Sequence, residues 1–299
     1  MRYRSGLPQL GGELFLTDGG IETVLIFHEG LDLPEFAAFD LLKDEEGTER
    51  LRSYYMPYVA LARERGLGFV LESPTWRANP RWAAAIGYDG EQLDHFNRKA
   101  IALLEEIRDA AGSDAPIVIS GCIGPHDDGY DPGELLSAEA AQDYHSAQIG
   151  TFADTAADMV TAITMTYSAE AIGVVRAAAA AGLPAAISFT VETDGRLPSG
   201  QPLGEAIDEV DRETGAGASY FMINCAHPTH FASVVEDGGA WRERIRGIRA
   251  NASTLSHAEL DEAQALDEGD PADLGARYAG LREALPRLSV VGGCCGTDH

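Results

Sequence analysis

Short apolar runs alternate with longer, alanine-rich amphipathic runs along the whole chain. Apolar runs of about four to eight residues are typical of buried strands, whereas longer amphipathic runs are typical of helices. Strands that alternate with helices indicate βα units and a parallel sheet. Eight runs have the strand pattern: Glu13–Thr17, Leu67–Leu71, Ile117–Ser120, Met159–Ile163, Ala185–Thr190, Tyr220–Asn224, Ile245–Ala250 and Leu288–Val291.

The runs between these strands predict helices, and the number of βα units favours a barrel. Examples of the helical runs are Glu49–Arg65, Glu91–Ala111, Ala138–Ala156, Ala169–Ala181 and Pro271–Ala284. Eight units, with no Gly-x-Gly-x-x-Gly after the first strand, favour a closed (β/α)8 TIM barrel over an open doubly wound sheet. No linker rich in Pro, Gly or Ser divides the chain, so we predict a single α/β domain over residues 1–299.

Composition and charge narrow the class of partner. A chain of 299 residues with 45% apolar side chains has the size of one barrel and can bury a large core. Its formal charge of −26 argues against nucleic acid and against anionic membrane surfaces. No apolar run is long enough to cross a bilayer, and Met1–Gly12 has no signal-peptide pattern. We therefore expect a cytoplasmic protein that acts on small molecules.

Polar residues follow most of the predicted strands. In a barrel, catalytic and binding side chains lie at the C-terminal ends of the strands, so these residues are the candidates for a pocket. The ones that we select are Asp18 and Gly19 after the first strand, Glu72 after the second, Thr164 after the fourth and Asn224 at the end of the sixth. Asn224 could alternatively order the loop that follows it.

Three cysteines stand at the ends of strands six and eight: Cys225, Cys294 and Cys295. Because these strands are two positions apart in the ring, the thiols can converge. Zinc favours tetrahedral sites with thiolate ligands, and three protein ligands leave one position for a substrate. Glycines beside the Cys-Cys pair allow the sharp turn that such a site needs. Cys122 stands alone on strand three, and we interpret it as a packing residue.

Five motifs occur in order along the chain: LTDGG at 16–20, SGCIGP at 120–125, SFT at 188–190, INC at 223–225 and GGCCGT at 292–297. With these motifs the chain resembles the homocysteine S-methyltransferase family. The resemblance implies a (β/α)8 barrel, a zinc ion held by three cysteines and methyl transfer to homocysteine, which gives methionine. It assigns Cys225, Cys294 and Cys295 to zinc, and it places Asp18 and Gly19 in the homocysteine pocket.

Two features depart from that family. Ile163 stands where the family has a glutamate that holds the amino group of the substrate, so the acceptor is defined here as a thiol, with homocysteine expected. Glu72 is our hypothesis for a substitute carboxylate. The sequence also stops at Asp298-His299, where the family continues into a closing helix. We therefore expect a barrel that lacks its last outer helix or has a partner subunit in its place, as in a homo-oligomer.

The methyl donor must carry an activated methyl group. No glycine-rich S-adenosylmethionine loop is present, which leaves a sulfonium or betaine-type donor such as S-methylmethionine. Aromatic faces bind such cations, and Trp76 after strand two is the candidate wall. Two alternatives remain at this stage: a metal-dependent barrel hydrolase that activates water, and a non-catalytic binding protein with a diverged pocket.

Overall fold

The strands of the computed structural model, which describes residues 1–112, 114–263 and 265–299, close into one parallel barrel. Each strand pairs with its neighbours in sequence, and β8 closes the ring through Val290 opposite Phe15 and Val291 opposite Leu16. The predicted (β/α)8 architecture is therefore confirmed. The strands are β1 Phe15–Leu16, β2 Gly68–Glu72, β3 Ile117–Ile123, β4 Met159–Met165, β5 Ala185–Phe189, β6 Tyr220–Asn224, β7 Ile245–Ala250 and β8 Val290–Gly293.

Amphipathic helices surround the barrel. They are α1 Ile21–Thr23, α2 Glu45–Arg65, α3 Pro80–Ala85, α4 Gly90–Ala110, α5 Ala138–Ala153, α6 Ser168–Ala181, α7 Leu203–Thr214, α8 Pro228–Glu236, α9 His257–Glu262 and α10 Pro271–Ala284. The five helices that the sequence predicts are confirmed, with ends that differ by no more than four residues. Within the described ranges, no helix has both the length and the apolar composition that a membrane span requires.

The N-terminal end of the barrel is filled and closed. Its interior holds a cluster of buried apolar side chains: Phe15, Val70, Val118, Met159, Ala186, Tyr220, Met222 and Val290. Gly68 carries no side chain because a Cβ there would clash with the ring of Phe15. The first residues of the chain cover this end, since the backbone amides of Arg2 and Tyr3 donate to the buried carboxylate of Asp158 at 2.5 and 2.8 Å. The pocket is therefore confined to the opposite end.

The arginines of strand β7 lie in two different environments. Ile245–Ala250 is rich in arginine, which is rare in a buried strand. Arg246 lies partly exposed at the filled end, but Arg249 is buried, with 5% of its surface exposed. Arg249 thus delivers a guanidinium to the inside of the barrel near the C-terminal ends of the strands. A charge in that position needs buried partners, and the site supplies them.

Residues 294–299 form a turn that packs back on the barrel. The amide of Gly20 donates to Thr297 O at 3.2 Å, and the amide of Ala252 donates to Cys295 O at 3.0 Å. This turn connects β8 to the loops after β1 and β7. The expected replacement of an outer helix by a partner subunit stays a prediction.

Candidate metal centre and substrate pocket

The thiols of Cys225, Cys294 and Cys295 converge at the open end of the barrel, with all three Sγ atoms within 4.8 Å of one another. The Sγ atoms of Cys225 and Cys295 are 3.7 Å apart. Two sulfurs that each lie 2.3 Å from a tetrahedral zinc are separated by about 3.8 Å. The donor atoms therefore have the chemistry and the spacing of a zinc site.

Backbone hydrogen bonds from the end of β7 fix both cysteine segments. Cys225 N donates to Arg249 O at 3.0 Å, and Cys294 N donates to Ala250 O at 2.8 Å. Cys225 has a positive φ of 54°, a conformation that is uncommon outside glycine. Its carbonyl accepts hydrogen bonds from Asn251 Nδ2 at 3.0 Å and from His257 Nε2 at 2.8 Å, which hold it in that conformation. The thiol of Cys225 is thus turned towards the other two.

The glycines before the Cys-Cys pair are required by close packing. A Cβ on Gly292 would overlap the hydroxyl of Thr17, and a Cβ on Gly293 would overlap the hydroxyl of Thr297. Since Thr17 is in the loop that also carries Asp18, the approach brings the end of β8 directly against the end of β1. The two cysteines therefore enter the pocket beside Asp18.

The thiols interact strongly with one another in the absence of a cation. Hydrogen bonds from Cys225 and Cys295, with help from the positive charge of Arg249, lower the pKa of the Cys294 thiol well below its usual value. The hydrogen bonds shared with Cys294 and Cys295 raise the pKa of Cys225. The cluster thus favours the thiolate form of Cys294. A bound dication would displace the thiol protons of the cluster.

Tyr130 covers the cysteine cluster. Its hydroxyl lies 3.6 Å from Cys225 Sγ and 3.7 Å from Cys295 Sγ. Its ring stacks on His257 at a centroid distance of 4.0 Å and an angle of 12°, and His257 Nδ1 lies 3.0 Å from the carboxylate of Glu192. The sequence predicts a loop at Asp127–Pro132 but gives no signal that singles out Tyr130, because its partners are remote in the chain.

Cys294 and Cys295 line a pocket together with four of the predicted substrate residues: Asp18, Gly19, Glu72 and Trp76. The carboxylates of Asp18 and Glu72 both contact the guanidinium of Arg249, at 2.7 and 2.6 Å. Arg249 also donates to Gly293 O at 3.0 Å and to Gly19 O at 3.0 Å. The structure therefore shows both carboxylates engaged in ion pairs. The hypothesis that Glu72 holds an amino group stays a prediction.

Burial and pairing act against each other in this triad. Burial raises the pKa of the Asp18 carboxyl, and the charge of Arg249 and a 3.0 Å hydrogen bond from Tyr54 oppose the rise. Burial alone would lower the pKa of Arg249, but Asp18 and Glu72 outweigh it and hold the pKa well above its usual value. Arg249 is therefore charged, and its single positive charge offsets one of the two carboxylates that it contacts.

Glu22 lines the same pocket without such a partner. It lies in the first turn of α1 and makes no hydrogen bond or ion pair with another described residue. Burial raises the pKa of its carboxyl to about 7, and the nearby charges of Cys294 and Asp18 add to the rise. The sequence contains only a weak signal for this residue, since Glu22 follows the Asp-Gly-Gly turn by two positions.

Comparison with known proteins identifies the family. The family model for homocysteine S-methyltransferase matches residues 15–299. The chain belongs to the homocysteine S-methyltransferase family. It is therefore a methyltransferase, and the resemblance found in its motifs is confirmed.

Solved structures with the same fold include the homocysteine methyltransferase MmuM from Escherichia coli in two forms. The oxidized form has a TM-score of 0.74 and 20% identity, with 95% of this chain and 92% of that one covered. The metallated form has a TM-score of 0.70 and 18% identity, with 96% and 93% covered. Curated protein sequences give no match.

In this member of the homocysteine S-methyltransferase family, Thr164 and Asn224 lie behind the pocket wall. Trp76 Nε1 donates to Thr164 Oγ1 at 2.8 Å, and Thr164 N donates to Asn224 Oδ1 at 2.9 Å. Asn224 Oδ1 also accepts from Ser188 Oγ at 2.6 Å, and the side chain is fully buried. These contacts fix the indole that lines the pocket. Direct contact of Thr164 or Asn224 with a substrate stays a prediction.

Trp76 presents an aromatic surface that already attracts a cation. The guanidinium of Arg77 lies 4.2 Å from the centroid of the Trp76 ring, and it donates to Asp128 at 2.8 Å. Rings stabilise cations within about 6 Å of their centroid. Arg77 and Thr164 thus both contact the indole of Trp76. These contacts make Trp76 a rigid part of the pocket lining.

Proposed function

We propose that this methyltransferase binds Zn²⁺ through Cys225, Cys294 and Cys295. It moves a methyl group from a sulfonium or betaine-type donor, such as S-methylmethionine, to a thiol. Homocysteine is the expected acceptor and methionine the product. The observation that carries the proposal is the convergence of three sulfurs within 4.8 Å, with one pair at 3.7 Å. Three ligands from the protein leave the fourth position for the sulfur of the acceptor.

The chemistry requires a thiolate at neutral pH. A free thiol has a pKa near 8.5 and is mostly protonated, whereas a zinc-bound thiol is deprotonated. The acceptor sulfur forms a bond to the methyl carbon while the bond from that carbon to the donor sulfur or nitrogen breaks. The breaking bond's electron pair stays on the donor sulfur or nitrogen, which thereby loses its positive charge. The residues of the chain therefore have to bind two small molecules, align them and exclude water.

The charge of the pocket supports a cationic donor. Arg249 offsets one of the two carboxylates it contacts, and Glu22 and Cys294 add further negative charge when they are ionised. Trp76 provides the aromatic wall that sulfonium and quaternary ammonium groups prefer. Small molecules as the only partners and a cytoplasmic location remain predictions from the sequence. A metal-dependent hydrolase is disfavoured by membership of a methyltransferase family, and three thiolate ligands reduce the acidity of a metal-bound water.

An assay of donors and acceptors tests this proposal. Zinc-loaded protein is mixed with homocysteine and, in turn, S-methylmethionine, glycine betaine or a simpler sulfonium, and the products are resolved by mass spectrometry. We expect methionine with at least one donor, and none with metal-free protein or with Cys225→Ser. Absence of any methylated thiol with every donor, using fully zinc-loaded protein, would refute the function.

A further inference from the structure

Three carboxylates border the pocket beside the cysteines: Asp18, Glu22 and Glu72. Two of them are committed to the fold, because Arg249 contacts Asp18 at 2.7 Å and Glu72 at 2.6 Å. Tyr54 satisfies the second oxygen of Asp18. If either carboxylate turned to a ligand, the buried guanidinium would lose one of its two ion pairs, which is costly. Only Glu22 among the three is free to bind an incoming cation.

Glu22 has no hydrogen-bond or ion-pair partner among the other described residues, although its side chain is partly buried. Its charged neighbours are Cys294 and Asp18, which repel a negative charge, and Arg77, whose attraction is the smallest of the contributions. A buried carboxylate with no cation is unfavourable unless a ligand supplies one. The pocket therefore has an unbalanced acidic group at the edge of the metal site.

Strand β4 contributes an apolar side chain to the same pocket. It is Ile163, which borders the pocket and carries no charge. Zinc with three cysteine thiolates and an acceptor thiolate has a net charge of minus two, so an acceptor with a positive group close to its sulfur gains electrostatically. A 2-amino-4-thiol acid has its ammonium group three carbons from the sulfur, which is within the span of one small pocket.

We infer that Glu22 is the specificity-determining residue that binds the ammonium group of the acceptor thiol. The inference rests on the proposed function, and it restricts the acceptor to amino thiols such as homocysteine. The carboxylate of Glu22 on α1, rather than one on β4, then forms the charged hydrogen bond to the substrate. A thiol without an amino group lacks that partner and binds more weakly. Glu22 does not contact the reacting atoms.

Direct binding separates this role from methyl transfer. Homocysteine and 4-sulfanylbutanoate, which differs only in lacking the amino group, are titrated calorimetrically into zinc-loaded protein without donor. The wild-type protein should bind homocysteine at least tenfold more tightly. Glu22→Gln should weaken the binding of homocysteine by about 10- to 100-fold, which is the loss expected for one charged hydrogen bond. It should change the affinity for 4-sulfanylbutanoate far less. Glu13→Gln removes the same charge at an exposed position before β1 and should change neither affinity.

The outcomes distinguish the inference from the function on which it rests. Equal affinity of the wild-type protein for the two thiols, with methyl transfer to both, would overturn the role of Glu22 and leave the proposed function standing. A preference for homocysteine that survives in Glu22→Gln would overturn it as well. If neither thiol binds to the zinc-loaded protein, both conclusions fall. Zinc content and circular dichroism of each variant verify the fold, and Glu22→Asp, which retains the charge, should recover part of the preference.

Discussion

Arg249 Nη2 lies 2.7 Å from Asp18 Oδ1, and this contact joins the end of β7 to the loop after β1 across the inside of the barrel. The same guanidinium reaches Glu72 at the end of β2. Three strands are therefore connected beneath the pocket by one side chain. The bridge holds two of the carboxylates that line the pocket in ion pairs.

The bridge predicts a large loss of stability on truncation. Arg249→Met leaves two buried carboxylates without a cation, and we expect the free energy of unfolding to fall by about 3–5 kcal/mol. Urea denaturation measures the loss. Arg212→Met, at a surface position with 63% of the side chain exposed, should cost less than about 0.5 kcal/mol. Adding Asp18→Asn and Glu72→Gln to Arg249→Met should recover part of the loss, and an unchanged stability of the triple variant relative to Arg249→Met would contradict the account.

The cysteine cluster predicts one zinc ion per chain. Single replacement of Cys225, Cys294 or Cys295 by serine should reduce bound zinc to a small fraction of the wild-type content, because two thiolates hold the ion far less tightly than three. Cys122→Ala is the matched control, since Cys122 is buried outside the cluster. Elemental analysis of purified protein measures the content. Full zinc occupancy in all three serine variants would exclude these residues as ligands.

We expect the hydroxyl of Tyr130 to increase the affinity of the cysteine cluster for a metal ion. Tyr130→Phe keeps the ring that stacks on His257 and removes only the hydroxyl that lies 3.6 Å from Cys225 Sγ. Loss of a hydrogen bond to a ligand lowers metal affinity, and we expect a decrease of about tenfold or more. Competition with a chromogenic chelator gives the value, and Tyr3→Phe, at the closed end of the barrel, serves as the control. An affinity equal to that of the wild-type protein would show that the hydroxyl does not act on the sulfurs.

Glu22 predicts a pH dependence of stability in the metal-free protein. Its pKa is about 7 in the folded chain, against 4.5 for an unperturbed glutamate. A raised carboxyl pKa contributes stability that is present below pH 4.5 and is lost as the pH rises through about 7. The loss amounts to at most ~3 kcal/mol. Urea unfolding at pH 5 and pH 8 should therefore show a smaller fall for Glu22→Gln than for the wild-type protein, and an identical fall in the two proteins would rule out this burial effect.

A charge transplant tests whether position alone determines acceptor recognition. In the Glu22→Gln background, Ile163→Glu places a carboxylate on β4 in the lining of the same pocket. We expect the double variant to regain at least part of the preference for homocysteine over 4-sulfanylbutanoate. Ile163→Gln in that background carries the same shape without the charge and should not. Equal affinities in these two double variants would indicate that only α1 can present the group.

The sequence predicts the barrel and the convergence of the three cysteines well, because both depend on residues in the strands or directly after them. The strands carry continuous apolar runs, and Cys225, Cys294 and Cys295 directly follow strands whose order fixes which ends are neighbours. Asp18, Glu72 and Trp76 enter the pocket for the same reason. In a ring of parallel strands, residues that directly follow the strands all lie at the same end of the barrel. Their position in the sequence is therefore enough to predict that they lie near one another.

The pairing of the pocket residues could not be predicted in the same way. Arg249 lies inside a strand, where periodicity does not show that its side chain ends between Asp18 and Glu72. Tyr130 is in a loop, and only the folded chain brings it against Cys225. Glu72 was expected to be available to a substrate because its partner Arg249 is 177 positions away in the sequence, where the pattern does not show the pairing. Which acidic group is free was therefore decided by contacts that the pattern does not contain.

The three cysteines follow strands that are synthesised at different times, so the order of synthesis determines when their thiols can meet. Cys225 follows β6, whereas Cys294 and Cys295 follow β8, the strand that completes the ring by pairing with β1. During synthesis the first ligand leaves the ribosome about seventy residues before the other two. The ligand set that we propose for zinc is therefore complete only after the last strand has been made, and a bound ion would join the end of β8 to the end of β6 once the barrel has closed.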